Sequence, residues 1–216
     1  IVVDRDGENI ITVISGANNT LNASDAEIAI SVLSEGDPLL MQQEIPADVI
    51  KHALITARRN NIRTILNTAP AISETAELAP LADVVIANEN EFYDFTNNQR
   101  SASDDSTDAR DLKQKMQSFC EQNDESLIIV TRGGNGVVAI HQSDYFEIAA
   151  PVIDPLDTVG AGDAFCGYFA SAFDAGQSIA DALKLSTLAG SLTCLHSGAQ
   201  PAIPTAEQVL VFSTSI

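Results

Sequence analysis

Apolar positions along this chain switch repeatedly between a two-residue and a helical period, and each switch marks a predicted element. The opening reads as a hairpin: Ile1–Asp4 and Ile10–Ile14 are β-rich and are joined through Asp6-Gly7, a tight-turn dipeptide. After the Gly16-Ala17-Asn18-Asn19 loop, Ala26–Leu33 has short helical character, and Leu39–Gln42 is a short apolar run. Val49, Ile50, Ala53, Leu54 and Ala57 then share one face, which predicts a helix over Pro46–Arg59 with Pro46 in its first turn.

Thr64–Asn67 and Val84–Ala87 are short runs of the kind that form buried strands. The polar, acidic stretch Asn97–Asp108 predicts an exposed loop before a helix whose inner face is Ala109, Leu112, Met116 and Phe119. Leu127–Thr131 predicts a strand, and Val137–Ile140 with Tyr145–Ala149 an antiparallel pair after the Gly133-Gly134-Asn135-Gly136 turn. Pro151–Gly162 reads as a loop. Ala164–Phe173 follows as a helix apolar on nearly all sides, and Ala180–Leu195 as a second helix of small apolar residues.

Strands alternating with helices imply one domain over residues 1–216, an α/β sandwich around a largely parallel sheet. In such sheets ligands bind beyond the carboxyl ends of the strands. The polar residues just after each strand are therefore the candidates: Glu44, Asn67, Asn88 with Glu91, Thr131 with its glycines, and Asp157–Asp163.

Charge narrows the choice of partner. Thirty acidic against eleven basic residues give a net charge of −19, a surface that repels nucleic-acid phosphates and anionic lipid. No uncharged apolar run approaches the roughly 18 residues that would cross a bilayer. With no secretory leader pattern at Ile1, a soluble, cytoplasmic protein is expected. Cys120, Cys166 and Cys194 are too scattered for a disulfide framework or a zinc site, so buried thiols are expected. The chain starts at Ile1 inside a predicted strand, which implies that the natural protein begins earlier.

The most informative stretch is Asp157-Thr158-Val159-Gly160-Ala161-Gly162-Asp163, immediately before the apolar helix. Small residues at 160–162 let backbone approach a ligand, and free N–H groups at a helix start attract an anion. A carboxylate there is odd for anion binding alone. It makes sense if Asp163 takes a proton from a second substrate. The residues alone equally allow a glycine turn with Asp163 as helix N-cap.

This stretch resembles, residue for residue, the C-terminal Asp-Thr-x-Gly-Ala-Gly-Asp motif of the ribokinase-like (PfkB) carbohydrate kinases. The resemblance implies a three-layer α/β/α sandwich with a mostly parallel sheet. It implies Asp163 as catalytic base and the amides of Gly160, Ala161 and Gly162 as an anion hole. Asn88-Glu89-Asn90-Glu91 is similar to the family's Asn-x-x-Glu motif, with Asn88 on the nucleotide side and Glu91 as an outer ligand of Mg²⁺. Thr131-Arg132-Gly133-Gly134-Asn135-Gly136 resembles its Thr-x-Gly-x-x-Gly nucleotide loop, which puts Thr131, Gly133 and Gly136 along ATP. Glu44, in Met41-Gln42-Gln43-Glu44-Ile45-Pro46, is similar to a sugar-contacting glutamate.

Backbone carbonyls of Asp157, Val159, Thr193, Gly198 and Ala202 are the implied ligands of a monovalent cation, K⁺. The implied reaction is phosphoryl transfer from ATP to a sugar. D-ribose is the first choice, then fructose, 2-keto-3-deoxygluconate or a nucleoside, with a non-catalytic nucleotide-binding remnant as the alternative. Residues 1–15 would be the remaining strands of a lid, through which two copies could pair. The family's opening strand, its sugar-gripping Gly-Gly loop and its adenine-side asparagine have no counterpart here; Ser186-Thr187 stands at the last position.

Overall fold

A computed structural model describes residues 2–3, 9–10, 15–96, 109–123 and 126–214. Strands β1 (Val2–Val3) and β2 (Asn9–Ile10) pair antiparallel. The rest of the predicted lid hairpin, including Asp6-Gly7, lies outside the described residues, as does the loop expected over 97–108. A 3₁₀ turn, Gly16–Thr20, takes the place of the expected loop. Helix α1 then covers Ala23–Ser31, three residues ahead of the expected Ala26 start. Asn22 explains the shift: its side chain accepts from the Ser24 and Asp25 amides, while Asp25 caps the Asn22 N–H in return.

The central sheet runs β3 (Pro38–Met41), β4 (Arg63–Asn67), β5 (Val84–Asn88), β6 (Leu127–Thr131), β7 (Val137–His141) and β8 (Asp144–Ile148), in that spatial order. The first four are mutually parallel, and β7 and β8 turn back antiparallel. Residue alternation sorts the two faces. Leu66, Val85, Ile128 and Val130 point to one side, against α2 (Ala47–Arg59), α3 (Thr75–Leu78), α4 (Glu89–Phe95) and α5 (Ala109–Gln122). Ile65, Ile86, Ile129 and Ala139 point to the other, against α6 (Ala161–Asp174) and α7 (Ile179–Thr193). This is the expected three-layer sandwich. Helix α8 (Ala206–Ser213), which apolar spacing left undetected, packs Val209 onto Leu188 and Ala189 of α7.

Two departures bear on function. Helix α6 starts at Ala161 and not Ala164, with Gly160 in the left-handed region (φ 80°) as its N-cap. Asp163 is thus the third helical residue, and the N-cap reading of it is wrong. Nor is α6 apolar on all sides. Asp163, Gly167, Ser171 and Asp174 form an exposed stripe opposite buried Phe165, Cys166 and Phe169. Glycine and serine are small enough to pass for core in a one-dimensional reading, which hid the stripe.

Cys120 and Cys166 are buried as expected, whereas Cys194 is only half-buried. Burial pushes the Cys120 thiol up to about 11. No helix among the described residues is long and apolar enough to cross a membrane.

Candidate active site

The direction of α6 fixes where its N-terminus lies. Arg63, the first residue of β4, donates to the Phe173 carbonyl and to Asp174, both at 3.3 Å, at the far end of the helix. Its guanidinium also sits 4.8 Å from the centre of the Phe173 ring. Fourteen residues rise about 21 Å, longer than a five-residue strand at about 3.3 Å per residue. The helix therefore runs the full depth of the sheet, and residues 160–163 emerge beyond the carboxyl ends of the parallel strands.

At this mouth the backbone is prepared for an anion. The Ala161 N–H makes only a long contact to the Thr158 carbonyl, 3.3 Å. Among the described residues no hydrogen bond engages the Gly162 and Asp163 N–H groups, whose helical partners would lie before the helix begins. Gly162 has open space around it. The Asp163 side chain is exposed. The described chain supplies a floor with a carboxylate on it.

Three small contacts set that floor. A Cβ on Gly190 of α7 would come 3.1 Å from the Ala161 carbonyl oxygen, so glycine there lets α7 lie close against the start of α6. Gly160 faces Ala199 of the last loop, where a Cβ would meet Cα at 3.2 Å. The Tyr168 hydroxyl donates to the Pro204 carbonyl at 2.8 Å and holds that loop from below. None of these three is conspicuous in the sequence, since each acts through a contact with a distant segment.

Strands β5 and β6 end beside this mouth. Asn88 and Thr131 are register partners, so the two predicted nucleotide motifs are adjacent in space. Asn88 is N-cap of α4: its side chain accepts from the Glu91 amide, and Glu91 Oε2 accepts from the Asn88 N–H, both at 2.9 Å. Glu91 Oε2 also accepts from the Thr68 hydroxyl at 3.1 Å, while Oε1 has no such bond among the described residues. Phe92, edge-on to Phe95 and Phe119 and fully buried, anchors the helix that carries this cap. That burial contributes about 1.5–3 kcal/mol.

The Cys166 thiol links the two mouths. Burial first, and then the carboxylates of Asp163 and Glu91, push it up to about 12. Both carboxylates thus lie within electrostatic reach of a sulfur one turn into α6, in keeping with helices α4 and α6 both starting at the carboxyl edge of the parallel strands.

Asp157 is a clamp. Its Oδ2 accepts from the Gly198 N–H at 2.9 Å and its Oδ1 from the Val159 N–H at 3.0 Å. The Leu156 and Asp157 amides both donate to the Cys194 carbonyl at the end of α7. Asp157, Val159 and Gly198 thus meet directly. Thr193 and Ala202 are buried close by in sequence and chain path, the Thr193 carbonyl accepting from His196 N–H.

The Gly198 and then the Val159 amide hold the Asp157 carboxyl below the usual carboxylate range. A folded-state value below the unfolded one stabilises the fold above the unfolded value, and this is lost as pH falls through the lowered one. Protection of the Gly198 and Val159 amides from hydrogen exchange, taken relative to the intrinsic rate at each pH, should therefore be high near neutrality and fall as pH drops below the usual carboxylate range. In Asp157→Ala it should be low at every pH. A wild-type profile flat in pH would overturn the clamp.

Glu44 stands apart from these motifs. It is exposed, its amide donates to the Gln42 side chain, and it lines a cleft of about 550 Å³. Ser15 and Asn19 from the 3₁₀ turn and Ile72, Ser73 and Glu74 from the segment before α3 complete much of that cleft. Buried Gln43 fixes its wall, hydrogen-bonded to the Thr75 hydroxyl at 2.8 Å. The cleft lies at the carboxyl end of β3, at the same edge of the sheet as the α6 mouth. Gly133 (φ 53°) opens the β6–β7 turn with space around it, whereas Gly136 (φ 88°) is pressed against the backbone of 148–150.

No group of three or more His, Cys, Asp or Glu side chains suited to a metal occurs among the described residues. A divalent ion held here would draw most of its ligands from phosphate oxygens and water, with one carboxylate such as Glu91. That is the set Mg²⁺ favours.

Known proteins share this fold. The family model described as "pfkB family carbohydrate kinase" matches residues 1–206. The chain is 32% identical over 211 residues to the bifunctional ribokinase/ribose-5-phosphate isomerase A of Fructilactobacillus sanfranciscensis, covering 97% of this chain and 38% of that protein. The solved structure of ribokinase from Thermotoga maritima superposes with a TM-score of 0.82 at 30% identity, covering 98% of this chain and 67% of that one. Ribokinase from Arabidopsis thaliana, solved with ribose and ATP, is alike in fold at 24% identity and a TM-score of 0.80, covering 97% and 66%. The chain therefore spans between about two fifths and two thirds of these relatives' length.

Proposed function

This chain belongs to the pfkB family of carbohydrate kinases, and on that premise we propose that it carries the phosphoryl-transfer centre of an ATP-dependent sugar kinase, with D-ribose as acceptor. The observation that carries this reading is convergence at one sheet edge. A helix start with unengaged amides presents a carboxylate, and the Asn88–Glu91 and Thr131–Gly136 segments end beside it.

In the proposed reaction Asp163 accepts the proton of the sugar's primary hydroxyl as that oxygen attacks the γ-phosphorus in line, and the bond from the γ-phosphorus to the β,γ-bridging oxygen breaks to release ADP. The Ala161, Gly162 and Asp163 amides take up the charge that spreads over the transferred phosphoryl oxygens. Aligned peptide dipoles of α6 add to this attraction. Mg²⁺, held through Glu91 and water, would supply further neutralisation when bound. Glu44 would hydrogen-bond sugar hydroxyls from the neighbouring cleft. Asp157, Val159, Thr193, Gly198 and Ala202 would present carbonyls to K⁺ behind the anion hole, with the Asp157 clamp setting their spacing.

Ribose ranks ahead of fructose, 2-keto-3-deoxygluconate and nucleosides because ribokinases are prominent among the similar proteins. The exposure of Asp163 favours a second reading, a domain that binds nucleotide without turning sugar over. An ATP-consumption assay over these four acceptors, in K⁺ and then in Na⁺, separates them. The expected result is turnover highest with ribose and reduced in Na⁺. ATP binding with no turnover on any acceptor would favour the second reading, and equal rates in the two salts would remove the cation site.

A further inference from the structure

Arg132 and Glu89 occupy the variable positions of the two segments that meet at Asn88 and Thr131, and no role has been given to either. Arg132 Nε donates to Glu89 Oε1 at 3.2 Å, and Nη1 lies 3.6 Å from Glu147 Oε1 on β8. The first pair is largely shielded, with side-chain exposures of 14% for Arg132 and 19% for Glu89. The backbone of Arg132 is fixed as well: its N–H donates to the Gly136 carbonyl and its carbonyl accepts from Asn135 N–H. Glu89 is the first residue of α4, directly after the cap made by Asn88 and Glu91.

We infer that the Arg132–Glu89 pair is a positioning device for the nucleotide, which keeps the Asn88–Glu91 turn and the Gly133–Asn135 turn at fixed separation and cancels the Glu89 charge. The inference rests on the kinase reading above. A shielded carboxylate that loses its cation is far more costly than the intact pair is favourable. The same carboxylate, left uncancelled two residues from Glu91 at the start of α4, would repel an anionic ligand bound there through a poorly screening medium. In a chain of net charge −19, cancelling one acid beside the phosphates matters more than it would on a neutral surface. Arg132 is a positioning residue here and need not touch the substrate.

The test compares Arg132→Gln, Glu89→Gln and the double variant by calorimetric titration with MgATP and by separate KM values for ATP and sugar. Arg132→Gln should weaken ATP binding and raise its KM by about tenfold or more, in the range of a lost charge-assisted contact. The sugar KM should stay within about twofold, since the Glu44 cleft lies at another strand end. The double variant should recover most of the loss, because the amide that replaces the Glu89 carboxylate carries no charge. Glu89→Gln alone, whose amide oxygen can still accept from Arg132 Nε and keep the turns tied, should bind ATP at least as tightly as wild type, with any gain fading at high salt. That variant retains the arginine and reports on the charge even where Arg132→Gln fails to fold.

A melting temperature that falls while ATP affinity stays constant would assign the pair to stability alone and overturn the inference. So would a double variant as impaired as Arg132→Gln. Wild-type chain that binds no nucleotide would overturn the kinase reading and this inference together. Normal wild-type binding with an indifferent Arg132→Gln would overturn this inference alone.

Discussion

Asp163→Asn should lower phosphoryl transfer by about 10²- to 10⁴-fold, the span that a positioned general base contributes, while MgATP still binds. Asparagine keeps the shape of the side chain at the third position of α6 and leaves the amides of residues 161–163 where they are. What it removes is the proton acceptor and one negative charge. Loss of the charge should leave ATP affinity unchanged or slightly improved, because a carboxylate at an anion-binding helix start repels phosphate. The combination is diagnostic. A fall in kcat without a rise in the ATP KM marks an interaction made only on the way to the transition state. Turnover within about threefold of wild type would remove Asp163 as the base, since even a weakly efficient base contributes more. The exposed setting of Asp163 makes this the most informative variant, because the exchange removes little packing and its effect reports on the chemistry.

Legibility from sequence divides along the length scale of the forces involved. Helix α2 was readable almost to the residue, Pro46–Arg59 against Ala47–Arg59, because five apolar residues on one face are a local pattern. The strands at 64–67, 84–87 and 127–131 were readable because burial on both faces demands continuous apolar runs. Helices α3 and α8 were not, being four and eight residues long, too short for a helical period to stand out. The start of α6 was misplaced for a different reason. Gly160-Ala161-Gly162 reads as loop by propensity, and packing of Gly190 against Ala161 and of Gly160 against Ala199 overrides it.

The candidate site shows the same split. Asp163, Asn88, Glu91 and Thr131 were found because they lie in motifs just after apolar runs. The Asp157 clamp on Gly198, the Tyr168 tie to Pro204 and the Arg132–Glu89 pair join segments 36 to 43 residues apart. No local pattern announces such contacts.

Gly136→Ala should cost the fold about 3–5 kcal/mol, in the class of the most damaging single substitutions. Two independent penalties act there. At φ 88° and ψ −135° the backbone is in a region that side chains rarely adopt, which alone costs about 1–3 kcal/mol. An added Cβ would also lie 2.0 Å from the Ile148 carbonyl oxygen, 2.6 Å from the Ala150 nitrogen and 2.9 Å from the Ala149 carbonyl carbon. All three are backbone atoms, so no side-chain rotation relieves the overlap. The turn or the end of β8 must move, with loss of the Val137–Ile148 pairing. Gly134→Ala is the matched control: its φ is unstrained and no atom lies within 4 Å of the new methyl. By thermal melting, Gly136→Ala should fall below Gly134→Ala by about 6–20 °C, at roughly 2–4 °C per kcal/mol for a chain of this size. A difference under about 2 °C would mean that the turn yields freely. Glycine at 136 would then have to be explained by close approach of a nucleotide, the role its motif position first suggested, and not by the approach of β8.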